Sequence, residues 1–499
     1  MYFIGAHFLR NPTFGPDIAG TGFPTMFMPN AGMRGPFKAK AGGITLEYHI
    51  RANKTPGTKS FGPTKGVNLS SARKVPGATW TAKGINQHVQ AHGGDITRVG
   101  STYYWIGENK LSGSAFQSIN CYSSTDLVQW TFVNELLTLQ PDGDLGPNRV
   151  VERPHVIYNS QTSTYVMWMH IDSSDYQEAK AGVATSSTVC GNYTYRGSSR
   201  PLGFESRDIG LFKDTDGSGY LLSEDRSNGL RINKLSSDYL SVESTVQILD
   251  DYESPAMYKS NGIYFMFGSS LTDPNDNVYS TATSLGGPWS GWNKFAAPWS
   301  NTYSSQTTAV VSINGVVMYM GDRWVSNNLM SSTYIWLPLT ISGTTASMDY
   351  HDSWIINPSA GTWSSAPAET VLEAEAGSNA LTGGATVVSC SGCSNYETVG
   401  YIGGPGGGTL TFAAISSTTS TTTTIRIQQE NGDWDQRYGN VTVNGISNII
   451  AFVPTPNGNT PGTSVLTVPL KKGKTNVIKF EAYNGGYVAD IDRLIVPNS

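Results

Sequence analysis

Charge is what this chain has least of. Asp, Glu, Lys and Arg make up 14% of its 499 residues, against about 25% in an average soluble protein. The formal net charge is -5. A weakly charged, slightly acidic chain has no basic face for nucleic acid or an anionic membrane. Long apolar runs are missing too: none approaches the ~18 residues of a membrane span. Helical periodicity is scarce. Cysteine is limited to four residues, of which Cys390 and Cys393 share the stretch "SCSGCS". A zinc site would need a second pair or a nearby His, so a local disulfide is expected there, and Cys121 and Cys190 remain for a second bridge. The opening "MYFIGAHFLRNPTFG" has neither the charged head nor the apolar length of a signal peptide.

What is present is Ser, Thr, Asn and Gly with many Tyr and Trp, a composition that suits an extracellular β-protein facing neutral polyhydroxylated ligands. Asn53, Asn68, Asn192 and Asn440 begin glycosylation sequons. At this length two domains are expected. Residues 1–70 are Gly/Pro-rich, poorly patterned and unassigned.

From Asp95 a hairpin pattern recurs: "DITRVGSTYYWIGE", "HVIYNSQTSTYVMWMH", "IGLFKDTDGSGYLLSE", "AMYKSNGIYFMFGS" and "AVVSINGVVMYMGD". Each is a short apolar strand, a Gly/Asn/Asp turn and a second apolar strand. A spacing of roughly 45–60 residues falls in the range of propeller blades. The expected fold is all-β: a five-bladed β-propeller over 71–365, with a sandwich of irregular hairpins as the rival. A Pro- and Ser-rich boundary at 356–370 leads to a β-sandwich (jelly-roll) domain over 371–499. The run "ISSTTSTTTTIRIQQ" is read as strand and loop inside that sandwich, because Thr favours strands.

Polar residues precede the first strand of each hairpin in near-register. They are His92, Glu152, Asp208, Glu253 and Gln306, with Glu108 closing the first hairpin. Strand ends are polar wherever they meet water, so each alone means little. In a propeller, however, the innermost strands line one axis, and these groups converge on one mouth. Carboxylates crowded there raise one another's pKa. That is how the acid of a glycosidase stays protonated near neutrality. Tyr176, Trp299 and Trp324 are candidate sugar-stacking aromatics, although each fits core or rim packing equally well.

These segments resemble glycoside hydrolase family 43. "ESPAMYKSNGIYFMF" resembles its acid-bearing blade and "SRDIGLFKDTDG" the blade carrying the Asp that orients the acid. "VQAHGG", "VVERPHVIYN", "YVMWMHIDSSDY", "RPLGFESRD", "GDRW" and "YIWLPL" are similar to the exo-β-1,3-galactanase branch. "LEAEAG", "CSGCSNYETVGYIGG" and "VADIDRLIV" resemble a family 35 carbohydrate-binding module.

The resemblance implies an extracellular, monomeric, inverting enzyme that releases galactose from β-1,3-galactan, the arabinogalactan main chain. It implies Glu253 as general acid and Asp208 as its modulator. Gln306 comes first and Glu152 second for the attacking water, because the family's base Asp is replaced in "VQAHGG" by Gln90 and His92. His92 is itself a titratable third candidate. Substrate contacts would come from Glu108, Glu152, Tyr176, Gln90 and His92, with no catalytic cofactor. In the module, Tyr401, Arg437, Tyr487 and Asp490 would bind galactose, and Glu373, Glu375 and Asp492 would hold a structural Ca²⁺. Other family 43 specificities (arabinofuranosidase, xylosidase) and an inactive galactan-binding lectin are the alternatives.

Overall fold

The computed structural model describes residues 72–498 except 272–275 and 457–459, together with the backbone of one antiparallel strand pair, Phe37–Ala41 and Ile44–Tyr48. The unassigned segment 1–70, apart from that pair, and the sequons at Asn53 and Asn68 lie outside the described residues.

Five antiparallel meanders follow one another. Sheet I comprises His92–Val99, Thr102–Glu108, Ser118–Ser124 and Thr131–Thr138; sheet II, Val150–Asn159, Thr164–Asp172, Lys180–Ser186 and Thr194–Ser199. Sheet III comprises Ile209–Lys213, Gly219–Asp225, Gly229–Leu235 and Val242–Leu249; sheet IV, Glu253–Ser260, Ile263–Ser269, Asn277–Ala282 and Asn293–Lys294. Sheet V has three strands, Gln306–Ile313, Val316–Arg323 and Thr333–Pro338. The first strands touch in cyclic order, I to II to III to IV to V and back to I.

The turn chemistry explains the register. Asn261 and Gly262, both at positive φ, join Ser260 to Ile263 in a two-residue hairpin. Asn314 and Gly315 do the same between Ile313 and Val316. Such turns need two left-handed residues, which Asn-Gly supplies with little strain. Apolar layers fill the gaps between neighbouring sheets: Ile106, Met167 and Met169 between I and II, and Leu222, Met257 and Met266 between III and IV. The largest cluster holds Trp80, Trp105, Trp130, Trp336 and Trp354; Trp80 and Trp105 pack against Tyr334, and Trp105 against Trp336, closing sheet V onto sheet I.

Both disulfides form. Cys121–Cys190 ties sheet I to the loop that follows Lys180–Ser186, and Cys390–Cys393 closes a short loop. Beyond a small hairpin, Trp354–Asn357 with Thr362–Ser365, the chain builds two further antiparallel layers. One is ordered Thr386–Ser389, Glu397–Gly400, Asp490–Pro497, Thr421–Glu430, Gly462–Leu470. The other is ordered Ala380–Thr382, Thr409–Ser417, Gly473–Ala482, Arg437–Val443, Ile446–Phe452. The Thr-rich run is strand and loop: Ile415–Ser417 end a strand of the second layer, 418–420 form the connection, and Thr421 opens a strand of the first. Phe412, Phe480, Ile427, Leu466 and Leu494 belong to a single core shared by both layers. Thr79–Trp80, from before sheet I, extends the first layer by pairing in parallel with Ser464 and Val465.

Candidate active site

The polar residues at the heads of the first strands are aimed by one repeated device. In sheets I, II and IV the residue after the polar one is left-handed: Gly93 (φ 64°), Arg153 (φ 50°) and Ser254 (φ 58°). A β-bulge follows directly in each, between His92 and Asp95, Glu152 and His155, and Glu253 and Ala256. Sheet V is bulged between Thr307 and Ala309. A bulge re-aims the residue before it while the strand beyond keeps its pairing. Gln306 is additionally preceded by Asn301, Thr302, Tyr303 and Ser304, all left-handed. Left-handed backbone costs an L-residue about 1–2 kcal/mol. Hydrogen bonds hold this turn: Asn277 N donates to Thr302 Oγ1, Ser305 Oγ to Thr302 O, and Arg323 Nη2 to Tyr303 O.

Glu253 lies at the centre. Its Oε1 accepts from Gln306 Nε2 at 2.8 Å, and Oε2 lies 3.3 Å from Arg226 Nη2. Gln306 cannot present its amide the other way round, because Trp324 Nε1 donates to its Oε1 at 2.9 Å. Burial, and then the charge of Asp208, push the Glu253 carboxyl up to about 7, against the pull of Arg153, Arg226 and Gln306. Glu253, Asp208 and Glu224 place carboxylate oxygens within 4.8 Å of one another. Glu224 is buried and is likewise pushed up to about 7 by burial and Asp208, and Arg226 bridges it to Glu253.

Asp208 does not face open solvent. Its Oδ2 accepts from Ser254 N (3.1 Å), Ser254 Oγ (2.8 Å) and Arg153 Nε (2.8 Å). Arg153, buried at the hub, also donates to Ser254 Oγ (2.6 Å) and to Thr307 O (3.0 Å). One guanidinium thus fixes groups from sheets III, IV and V, the multipoint planar recognition that Arg offers and Lys does not.

Across the site Lys110 Nζ joins Glu108 Oε2 (2.7 Å) and Glu152 Oε1 (3.1 Å). Tyr176 donates its hydroxyl to Glu152 Oε1 at 3.0 Å, and His170 Nδ1 is 3.6 Å from Oε2. Burial works against the Glu152 anion, but Lys110 and His170 hold its carboxyl well below the usual range. Glu108 is deeper; burial pushes it up to about 7 despite Lys110. His170 is carried up to about 9 by Asp172 and Glu152, burial notwithstanding. The site therefore pairs a carboxyl that keeps a large protonated fraction near neutral pH, Glu253, with an ionised one, Glu152. This separation of roles is what general acid catalysis at a glycosidic oxygen requires.

Gln90 and His92 sit beneath this surface, both buried. Gln90 accepts from Lys110 N and donates to Met330 O; His92 meets Asp322 Oδ1 (3.2 Å) and the Tyr334 hydroxyl (3.3 Å). Their polar atoms are committed to protein partners. Trp299 is 96% exposed in the loop ahead of Gln306.

Arg153, Lys110, Arg226, His170, Glu224 and Asp322 escaped the sequence reading. Three of them stand on second strands, level with a head residue. His170 pairs with Glu152, Asp322 with Gln306, and Glu224 N donates to Asp208 O. Glu108 pairs with His92 in the same way. Counting across each hairpin from its turn would have found this second ring.

Residues 88–316 match the sequence profile of glycosyl hydrolases family 43. The crystal structure of exo-β-1,3-galactanase from Phanerochaete chrysosporium, solved with galactose and, as variants, with β-1,3-galactotriose, is 37% identical. That match covers 85% of this chain and 100% of the other, with a TM-score of 0.60. The chain belongs to glycoside hydrolase family 43. An exo-β-1,3-galactanase from Clostridium thermocellum is 26% identical, over 79% of this family 43 chain and 100% of the other, with a TM-score of 0.56. A search of curated protein sequences returned no match.

The two C-terminal layers carry the remaining expected residues of this family 43 protein in two groups. Tyr401 and Tyr487 are half-exposed, with ring centroids 6.5 Å apart at 76°. Arg437 donates to Val488 O (3.2 Å) and to Asp433 (2.7 Å), and burial raises the Asp490 carboxyl against the pull of Arg437. In the second group Ser394 donates to Glu373 and to Asp492 Oδ1 (2.8 Å), and Asn395 to Glu375 Oε1 (2.8 Å). Glu375 Oε2 and Asp492 Oδ2 are buried without a hydrogen-bond donor, and Arg493 Nε is 3.5 Å from the latter. One of these undonated oxygens lies in a turn and the other on Asp490–Pro497, and oxygen donors of this kind are what a hard cation would take.

Proposed function

We propose that this protein is an extracellular, monomeric exo-acting β-1,3-galactanase that releases galactose with inversion. The observation carrying this reading is the likeness to the Phanerochaete chrysosporium galactanase over that enzyme's whole length, joined to a Glu253 carboxyl that stays protonated up to about pH 7. The five sheets are the blades of a β-propeller, as their cyclic neighbour order supports. The C-terminal layers form a jelly-roll module of the family 35 kind. Domain limits of 71–365 and 371–499 follow this division.

In this mechanism Glu253 gives its proton to the glycosidic oxygen as the bond breaks. Asp208, clamped by Arg153 and Ser254, keeps that proton in place. Glu152, ionised and held by Lys110, Tyr176 and His170, accepts hydroxyls of the terminal galactose together with Glu108. Gln306 orients the attacking water through an amide that Trp324 locks, and the proton that the water sheds on attack passes to bulk solvent. An inverting pair is separated by about 6.5–9.5 Å, so substrate entry breaks the 2.8 Å Gln306–Glu253 bond. A second reading has Glu152 as the base: it is ionised, but the Lys110 and His170 contacts that hold its carboxyl down also make it a weak proton acceptor.

Glu373, Glu375 and Asp492 would hold Ca²⁺, which would stiffen the module's strand ends. Tyr401, Arg437, Tyr487 and Asp490 would bind galactose and keep enzyme near polysaccharide.

The deciding experiment pairs β-1,3-galactan with an aryl arabinofuranoside. Galactose from the first alone is the expected result; arabinose alone would overturn the specificity. Binding without release of any sugar from the parent protein would leave a lectin. Glu253→Gln should abolish hydrolysis and retain binding.

A further inference from the structure

Three carboxylates, Asp208, Glu224 and Glu253, meet within 4.8 Å, and two guanidiniums face them. Arg153 Nε takes Asp208 Oδ2 at 2.8 Å. Arg226 grips Glu224 Oε1 through Nε at 2.6 Å and Nη2 at 2.5 Å. Glu253 is left with one longer contact, 3.3 Å to Arg226 Nη2, and the neutral amide of Gln306. The next cations are engaged elsewhere. His170, which also feels Asp208, lies against Glu152 and Asp172. Lys110 joins Glu108 to Glu152, and the Arg207 guanidinium faces Asp172 and Glu205. Arg153 is shared further with the fields of Asp322 and Glu108, and Arg226 with that of Asp251. Carboxylates this close do not all ionise together, so the group keeps a proton near neutrality.

Burial and Asp208 do not decide which carboxyl keeps it. Both push Glu224 and Glu253 up to about 7, and Glu253 raises Glu224 as well. Contact geometry differs between the two. A cation stabilises the carboxylate it touches, and short charge-assisted bonds are the strong ones. The double contact of Arg226 therefore draws the negative charge onto Glu224. Arg226 can hold this pose because its turn is fixed. It lies between Gly219–Asp225 and Gly229–Leu235. There Asp225 Oδ2 accepts from Asn228 Nδ2 (2.8 Å) and Arg231 Nε (2.7 Å), and Asn228 N donates to Asp225 O (2.8 Å). Glu224 is 1% exposed and takes Asp208 N at 3.4 Å on its other oxygen. A group so enclosed does not touch substrate.

We propose that Glu224 is a positioning residue for the reaction: as the buried counter-anion of Arg226, it holds that guanidinium to itself and leaves the shared proton on Glu253. The proposal rests on the reading of Glu253 as the general acid. It gives the second buried carboxyl and the half-exposed arginine one joint task, that of keeping the acid loaded.

The test follows kcat/KM against pH on β-1,3-galactobiose, a profile that reports the free enzyme, in the full-length parent, Glu224→Gln and Arg226→Met. The acid works protonated, so its limb is the alkaline one. Glu224→Gln deletes a neighbouring negative charge and frees Arg226 for Glu253. Both changes favour the Glu253 anion, and the limb should fall by about one pH unit, a tenfold change in proton affinity. Arg226→Met removes a cation that lowers Glu253, so its limb should rise. A merely structural role gives no such opposed shifts. Should Glu224→Gln fail to fold by circular dichroism, Glu224→Met, which needs no hydrogen bond, carries the same expectation. A limb that stays or rises without the Glu224 charge overturns the proposal, because Glu224 then holds the proton itself. A limb that stays or falls in Arg226→Met overturns it too. Full activity in Glu253→Gln would instead overturn the acid reading on which it rests, so the two failures are distinguishable.

Discussion

Gln306 donates its side-chain amide to Glu253 across 2.8 Å while accepting the Trp324 indole on its oxygen. The amide that would guide the water therefore also bears on the acid. A hydrogen bond to a carboxylate favours the charged form, so Gln306 holds the Glu253 pKa lower than burial and Asp208 would set it.

Gln306→Ala removes both effects. We expect kcat on galactan to fall by about 10²–10³, the usual scale of a lost positioned polar group. The residual activity should lose its alkaline limb at a pH above that of the parent. The measurement is a pH profile of kcat/KM, which reports the free enzyme, where the Gln306–Glu253 bond is intact. A limb that moves to lower pH would contradict the hydrogen bond's assigned direction, and Glu152→Gln costing far more than Gln306→Ala would make Glu152 the base.

Asp208→Asn should do the opposite. The general acid must be protonated, so the parent's rate falls as pH rises through about 7, the value of Glu253. Asp208 raises that value, and removing its charge also leaves Arg153 without its 2.8 Å partner. Both changes favour the Glu253 anion. The alkaline limb should move below pH 7, with kcat lowered at pH 7 and recovering in part toward pH 5. An unmoved limb would show that Asp208 does not act on the acid.

Much of this was legible in the chain because hairpins write themselves locally. Asn261–Gly262 and Asn314–Gly315 fix both the turn and the pairing, and the head residues Glu253, Gln306, Glu152 and Asp208 follow by counting back. What was not legible is set across sheets. Arg153 reads as one more charge in "VVERPH", and its role comes from reaching Asp208, Ser254 and Thr307 on three other sheets. The left-handed turn Asn301–Ser304 holds no glycine to announce it. Gln90 and His92 stood at the right register to bind substrate, but Gln90 is taken up by Lys110 N and Met330 O, and His92 by Asp322 and the Tyr334 hydroxyl, and both are buried.

Trp324 offers a test of orientation as distinct from chemistry. Trp324→Phe keeps a ring while deleting the donor that locks Gln306 Oε1. The amide is then free to flip and present oxygen to Glu253. We expect kcat to fall about tenfold, the worth of one positioning hydrogen bond near 1.4 kcal/mol, with a much smaller change in KM. Equal changes in both on galactobiose would instead assign Trp324 to substrate binding.

The C-terminal carboxylates make a separate prediction about stability. Glu375 Oε2 and Asp492 Oδ2 are buried without donors, and burial raises the Asp492 carboxyl. A cation bound there would repay both costs, and a ligand that binds only the folded state adds about 2.7 kcal/mol at a free concentration a hundred times its Kd. Chelator treatment should therefore lower the melting temperature of the C-terminal transition, and added Ca²⁺ should restore it where Mg²⁺, which demands a tighter octahedral shell, does not. Asp492→Asn should abolish the Ca²⁺ response. Turnover of galactobiose, which needs no tethering, should be far less sensitive to chelation than retention on insoluble galactan. A melting curve indifferent to both chelator and Ca²⁺ would leave the three carboxylates as a hydrogen-bonded cluster around Ser394 and Asn395 and remove the metal from the account.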